Sequence, residues 1–245
     1  PTWAWTTRPG LRFMHASYAI QLSLRDSQRC RELINDPWYQ SMWGDRFQIL
    51  SDQNQKSQFH NNMRGWRVTT SIGSLATGIH PDVFIVDDPQ SAMQATSEAE
   101  RMSVIEWFDG TISSRGKSRG VRRIVIQQRL SETDLSGHIL NMYPENWVKL
   151  IIPMRFEDAR MPKTKLGWSD PRQSHGELMW PSLFTEDIVK SLETEMGSHR
   201  AAGQLQQRPA SIEGGLFKRE WFKITNSLPE SAYSEFSFTT HVGVG

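Results

Sequence analysis

The chain has 245 residues, a formal net charge of +1 and a single cysteine, Cys30. This length allows one large or two small domains, and the near-zero net charge excludes a nucleic-acid binder that acts through a strongly basic overall field. One cysteine excludes an intrachain disulfide, and no apolar run approaches the roughly 20 residues of a membrane span, so we predict no membrane partner.

Predicted strands and helices alternate along the first part of the chain. In chain order we predict a strand at 11–18, a helix at 19–35, strands at 46–50 and 63–71 around a polar loop at 51–62, a strand at 83–86, a helix at 97–108, a strand at 121–127, a helix at 134–142 and a strand at 147–153. This alternation predicts an α/β fold with a parallel sheet.

The pattern changes after residue 153. Residues 157–177 are charged, rich in Pro, Gly and Lys, and have no clear period, so we predict an irregular excursion. Two helices are predicted at 185–196 and 199–207. One or two short strands are predicted within 217–245.

Four apolar residues run directly into two adjacent carboxylates and a proline at 83–89 (VFIVDDP). Such a run is typical of a strand buried on both faces of a parallel sheet. Asp87 and Asp88 follow at its carboxyl end, where open α/β sheets bind ligands. A nucleotide-hydrolysing site needs one carboxylate to hold Mg²⁺ through its water shell and another to orient the attacking water. The alternative is an ordinary capped turn, since Asp and Pro are common turn residues.

A second apolar strand also ends in polar residues, at 124–129 (IVIQQR). An amide or guanidinium at such a strand end can report whether a γ-phosphate is bound, which makes Gln128 and Arg129 candidates for that sensor. The alternative is an N-capped helix with Ser131 or Thr133 as its cap. The two strand ends together predict a nucleotide site more strongly than either does alone.

With these motifs the chain resembles the ATPase domain of the large terminase subunit of tailed bacteriophages, the motor that packages DNA into the capsid. The resemblance rests on 17–48, 52–78, 83–91, 125–140, 176–184 and 201–222. Its most specific segments are QQRLSETDLSGH (127–138) and GQLQQRPA (203–210). It implies an α/β fold of the P-loop NTPase (ASCE) type, with a mainly parallel sheet flanked by helices and a small helical and irregular linker region.

The resemblance also implies residue roles. Asp87 matches the Walker B carboxylate that holds Mg²⁺ through water. Asp88 matches the catalytic carboxylate that polarises the attacking water, although distant members of the family often have Glu there. Gln128 and Arg129 match the coupling motif, which links ATP hydrolysis to movement. Asp134 belongs to the same signature, with helix capping as its alternative role.

Two elements of the family are missing from this sequence. No GxxxxGK[ST] phosphate loop occurs in it, and the resemblance implies that this loop precedes Pro1. Without its backbone N–H groups and its lysine the triphosphate lacks its main cradle. The RNase H-like nuclease domain of the family is also absent, or present only as its opening edge, because 233–245 holds one carboxylate, Glu235. We therefore expect a fragment that alone hydrolyses ATP negligibly.

The resemblance divides the chain into three segments. Residues 1–153 would form the core of the ATPase domain, 154–222 its subdomain and linker, and 223–245 the start of the connection to the nuclease domain.

A third departure concerns the arginine finger that acts in trans on a neighbouring subunit. Some terminases carry it in the turn before the Walker B strand, where this chain has Thr77. We consider Arg64, Arg67 and Arg115 as candidate substitutes. A solvated surface arginine is the alternative interpretation of each.

The family resemblance implies ATP and Mg²⁺ as cofactors. It implies double-stranded DNA, the portal protein and the small terminase subunit as partners, and a ring of identical subunits on the portal. Such a protein works in the host cytoplasm and is not secreted, and its full-length form is also an endonuclease.

Other classes remain as alternatives. A helicase-type ATPase would share the carboxylate pair, but no second motor domain follows, and GQLQQRPA has no evident helicase role. A PD-(D/E)xK nuclease would need an acidic-x-Lys pair on the strand at 121–127, which has none. The fragment could also act only as an interaction module. The seven histidines show no HxH or HExxH spacing, so the sequence predicts no zinc site.

Overall fold

One six-stranded sheet organises the chain. The computed structural model describes residues 1–74, 78–116 and 120–210, and only the backbone of Gln53 and of residues 112–116. The strands are β1 (Arg12–Ser17), β2 (Ile49–Asn54), β3 (Gln58–Asn61), β4 (Trp66–Ser71), β5 (Val83–Asp87) and β6 (Arg122–Ile126). Their order in the sheet is β2-β3-β4-β1-β5-β6. Strands β4, β1, β5 and β6 are parallel, whereas β2 and β3 extend the sheet in antiparallel fashion.

Helices flank this sheet. They are α1 (Thr2–Trp5), α2 (Ile20–Asn35), α3 (Pro37–Trp43), α4 (Glu98–Gly116), α5 (Leu135–Met142) and α6 (Glu186–Gln204). Asp36 separates α2 from α3, because its carboxylate accepts a hydrogen bond of 2.8 Å from the backbone N–H of Trp38 and Pro37 starts the new helix; proline is favoured there because its missing N–H costs nothing. In the described part of the chain no helix has the length and apolar character to cross a bilayer.

Apolar side chains fill both faces of the central strands. On one face Met14 of β1 and Phe84 of β5 pack with residues of α4 and α5. On the other face Phe13 joins a cluster around the buried Trp5, whose indole N–H donates to the carbonyl of Leu11. Because neighbouring residues of a strand point to opposite faces, β1 and β5 are anchored in the core from both sides.

Residues 154–210 fold against the rest of one compact unit, 1–210. The buried Arg172 organises this segment by pairing with Asp170 at 2.7 Å and by donating to the carbonyls of Pro153, Met154 and Glu177. Helix α6 is interrupted at Gly197, whose φ of 72° and ψ of 161° are not helical. The two halves correspond to the two helices predicted at 185–196 and 199–207.

The mostly parallel α/β sheet is confirmed, while two local predictions differ from the structure. The loop predicted at 51–62 contains most of β2 and all of β3. The strand predicted at 147–153 was wrong, because these residues have no regular secondary structure and join none of the strands in the described part of the chain. The strands predicted within 217–245 lie outside the described residues, and the three-segment division of the chain stays a prediction.

Candidate active site at the carboxyl edge of the sheet

The two predicted motifs meet at one edge of the sheet. Strands β5 and β6 are parallel neighbours in which Asp87 lies opposite Ile126. The backbone N–H of Asp88 donates to the carbonyl of Ile126 at 2.9 Å, and the carbonyl of Asp88 accepts from the N–H of Tyr18 at 3.0 Å. The backbone of Asp88 therefore joins the carboxyl ends of β1, β5 and β6, and Gln128 follows two residues after Ile126.

Asp88 has an unusual backbone conformation, with a φ of +44°. This left-handed region is unfavourable for most residues, although Asp and Asn enter it more readily than others. Its two backbone hydrogen bonds hold Asp88 in this conformation. Strained backbone that the surrounding structure enforces is concentrated at functional sites.

The electrostatics of this edge favour a bound cation. The pKa of the Asp87 carboxyl is raised by partial burial, and then by repulsion from Asp88 and Asp26. The pKa of the Asp88 carboxyl is raised as well, again by loss of hydration first and by Asp26 second, although Arg25 opposes both shifts. Carboxylates crowded in this way are relieved by a positive charge between them.

Arg129 is engaged in the turn that follows β6. Its Nε donates to both carboxylate oxygens of the fully buried Asp134, at 3.0 and 2.9 Å. Its Nη2 lies near the carbonyls of Ser131 and Glu132. The guanidinium thus shapes residues 128–134, which we call the coupling turn, and in this conformation it is not turned toward a ligand.

Asp134 is the N-cap of α5, and it accepts from the backbone N–H of Gly137 at 2.8 Å. This confirms the capping role given as the alternative for Asp134, whereas the other predicted caps, Ser131 and Thr133, were wrong. Asp134 is the cap because its carboxylate also accepts hydrogen bonds from Arg129 Nε and from the N–H of Leu130, and neither hydroxyl could accept all of these at once.

Gln128 is solvent exposed at the same edge of the sheet.

The end of α6 contacts the coupling turn, a link that the sequence did not predict. The side-chain oxygen of Gln207 accepts from the backbone N–H of Arg129 at 3.1 Å. A Cβ placed on Gly203 would lie 2.7 Å from the carbonyl oxygen of Arg129, so only glycine allows this approach. Both residues belong to the GQLQQRPA segment, whose unusual composition was the only signal available in the sequence.

The three candidate arginine fingers occupy different environments. Arg64 is exposed, with a φ of 67°, in the turn before β4, at the opposite edge of the sheet from Asp88. Arg67 is 2 % exposed and donates to the hydroxyl of Thr69 at 2.9 Å, which argues against contact with a neighbouring subunit. The side chain of Arg115 lies outside the described residues.

His15 and Asp26 also lie beside Asp87, and the sequence analysis did not select them. His15 Nε2 is 3.9 Å from a carboxylate oxygen of Asp87, and one ligand atom from each of the three residues lies within 4.8 Å of the others. These residues come from β1, α2 and β5, so no local spacing in the sequence could have connected them.

Comparison with known proteins adds no family assignment. No protein-family model matches the chain, and no curated protein matches it either. The class of this protein is therefore defined by its fold alone. It is an α/β protein whose six-stranded, mostly parallel sheet is flanked by helices and carries two carboxylates at its carboxyl edge.

Proposed function

We propose that this chain is the ATPase part of a DNA-packaging motor of the large-terminase type, with a P-loop NTPase sheet. The observation that carries the proposal is the meeting of Asp87-Asp88 and Gln128 at the carboxyl ends of adjacent parallel strands. Ligand sites of open α/β sheets lie at this edge. ATP and Mg²⁺ are the proposed ligands, and double-stranded DNA, the portal protein and the small terminase subunit are the proposed partners in the host cytoplasm.

The two carboxylates suit this chemistry in different ways. Asp87 is the last residue of β5 and is partly buried, which suits a fixed carboxylate facing the water shell of Mg²⁺. Asp88 is exposed, and its backbone is held by two neighbouring strands, which suits a carboxylate that orients an attacking water. When bound, Mg²⁺ would neutralise charge on the phosphates. Asp88 would orient the attacking water.

The open edge of the sheet supports a further strand beside β6. Among the described strands β6 pairs only with β5, and its Ile124 and Ile126 are exposed. A further parallel strand beside β6 would cover these two side chains and end beside Asp88 and Gln128. The loop after such a strand would be placed to cradle phosphates, and we assign the missing phosphate loop to it.

The coupling turn offers a route from this edge to the rest of the motor. Gln128 stands at the edge, Arg129 and Asp134 fix the turn, and Gln207 ties the turn to the end of α6. A phosphate-dependent shift of the turn would therefore be passed to residues 203–210. Work is done only if the phosphate biases such an element between two states.

The proposal is tested by measuring Mg²⁺-dependent ATP hydrolysis by the chain alone and by the chain extended with its native upstream sequence. We expect negligible turnover from residues 1–245 and clear turnover from the extended protein. In the extended protein Asp88→Asn should lower turnover by about 10²–10⁴-fold while largely sparing nucleotide binding. The control is Asp158→Asn, which removes an exposed carboxylate from the other part of the chain. Robust hydrolysis by residues 1–245, or full activity of the Asp88 variant, would contradict the proposal.

A further inference from the structure

Three potential metal ligands converge where α2 covers the sheet. His15 comes from β1, Asp26 from α2 and Asp87 from the end of β5, and one ligand atom of each lies within 4.8 Å of the others. His15 Nε2 and Asp87 Oδ2 are 3.9 Å apart, which is too far for a hydrogen bond. The three side chains face one another without bonding directly.

His15 is buried, and one of its ring nitrogens faces the Asp87 carboxylate. The residue is 7 % exposed, and its Nδ1 has no hydrogen-bond partner among the described residues. The other nitrogen, Nε2, lies toward Asp87 and is the atom available to a metal. A neutral imidazole offers the lone pair of such a nitrogen to a metal.

The two carboxylates complete a donor set with net negative charge. Asp26 and Asp87 supply one carboxylate each, and Asp88 follows Asp87 directly in the chain. Arg25 pairs with Asp26, since its Nε donates to Oδ1 of that carboxylate at 3.1 Å. The Arg25 side chain is half exposed, and this bond occupies only one oxygen of Asp26.

We propose that His15, Asp26 and Asp87 bind a divalent transition-metal ion directly and without nucleotide. One imidazole and two carboxylates form a set that suits Zn²⁺ or Mn²⁺, whereas Mg²⁺ prefers oxygen ligands alone. Bonds of the usual zinc length place neighbouring ligand atoms about 3.4 Å apart in tetrahedral geometry. The observed separation of 3.9 Å between His15 and Asp87 closes to that distance with a small side-chain rotation.

This site goes beyond the proposed ATPase and does not depend on it. Asp87 is the only residue that the two share, and His15 and Asp26 have no assigned part in ATP hydrolysis. The absence of HxH spacing led the sequence analysis to expect no zinc site. That spacing detects ligands on one element, whereas these three ligands come from three elements that the sheet brings together.

The test is isothermal titration of the EDTA-treated chain with ZnCl₂, MnCl₂ and MgCl₂ in the absence of nucleotide. We expect one Zn²⁺ per chain and an affinity order of Zn²⁺, then Mn²⁺, then Mg²⁺. His15→Asn and Asp26→Asn should each weaken Zn²⁺ binding at least about tenfold. His175→Gln is the matched control, because it removes an exposed histidine that pairs with Asp158 at 2.8 Å and should leave the affinity unchanged.

Three results would overturn the site: no stoichiometric Zn²⁺ binding, Mg²⁺ binding as tight as Zn²⁺ binding, or unchanged affinity in both ligand variants. Asp26 is partly exposed, so its variant carries the test if the buried His15 variant does not fold, and circular dichroism checks both. The result is separate from the ATPase assay, because it needs neither ATP nor the upstream sequence. Loss of ATPase activity with intact Zn²⁺ binding would refute only the proposed function.

Discussion

Replacing Asp134 should be among the most destabilising single changes in this chain. Its carboxylate is fully buried and pairs with Arg129 at 2.9 Å. It also accepts backbone hydrogen bonds from Leu130 at 3.0 Å and from Gly137 at 2.8 Å. One side chain therefore closes the coupling turn, caps α5 and neutralises a mostly buried guanidinium.

The magnitude follows from what Asp134→Ala would leave unpaired. Breaking a buried ion pair by removing one partner costs about 3–5 kcal/mol, because the remaining charge stays desolvated. Loss of the N-cap alone accounts for about 1 kcal/mol. Asp134→Asn should cost less than Asp134→Ala, since asparagine caps a helix about as well as aspartate. The ordering Ala worse than Asn worse than wild type is the expected result.

Urea unfolding followed by circular dichroism measures these free energies directly. Asp158→Asn serves as the control, because that carboxylate is largely exposed and surface pairs contribute at most about 1 kcal/mol. A loss below about 1 kcal/mol for Asp134→Ala would refute the reasoning, as it would show that Arg129 finds another partner or regains water.

Three further predictions concern other parts of the chain. Gly203→Ala should lower the free energy of unfolding, because its Cβ would meet a backbone carbonyl at 2.7 Å. Gly110→Ala places its Cβ in open space and should stabilise α4 by up to about 1 kcal/mol. Urea unfolding of both variants checks this pair, and equal effects would contradict it. Arg172 lowers the pKa of the buried Asp170, so this carboxylate stabilises the fold above its unfolded pKa and loses that contribution as the pH falls through its lower folded pKa. The unfolding free energy of wild type should therefore drop more steeply below about pH 4 than that of Asp170→Asn, and parallel curves would contradict the sign. Gln128→Ala in the full-length motor should slow DNA packaging by about one to two decades with little change in ATP affinity, and packaging at the normal rate would leave Gln128 without a coupling role.

The central sheet could be predicted from sequence because its signals are local. The apolar run that ends in Asp87 marks a strand buried on both faces, and α2 ends just before Pro37. The run that ends near Gln128 also forms a strand, but the prediction that it is buried was wrong, because Ile124 and Ile126 of β6 are exposed. The parallel arrangement followed from the alternation of elements. The meeting of the two motifs then follows from geometry, since the carboxyl ends of parallel strands share an edge.

The remaining features depend on contacts between distant segments. Strands β2 and β3 are polar. They are defined by pairing, of β3 with β4 and of β2 with β3, rather than by apolar patterning. The reverse holds for 147–153, whose apolar pattern predicts a strand that has no neighbour to pair with in the described part of the chain. The burial of Arg67 and the meeting of His15 with Asp26 are likewise consequences of how α2 packs on the sheet.

The strand order has a consequence for how the chain acquires its structure during synthesis. β1 lies at 12–17, but its two partners, β4 and β5, come at 66–71 and 83–87. The most buried strand, β1, therefore leaves the ribosome long before β4 and β5 are synthesised, and its apolar residues remain unpaired until then. Sheets assembled from such distant parallel segments form slowly, and their unpaired strand edges are prone to aggregation until the sheet is complete. Slower translation between residues 17 and 87 should lengthen this exposure and thus lower the recovery of folded protein relative to aggregate.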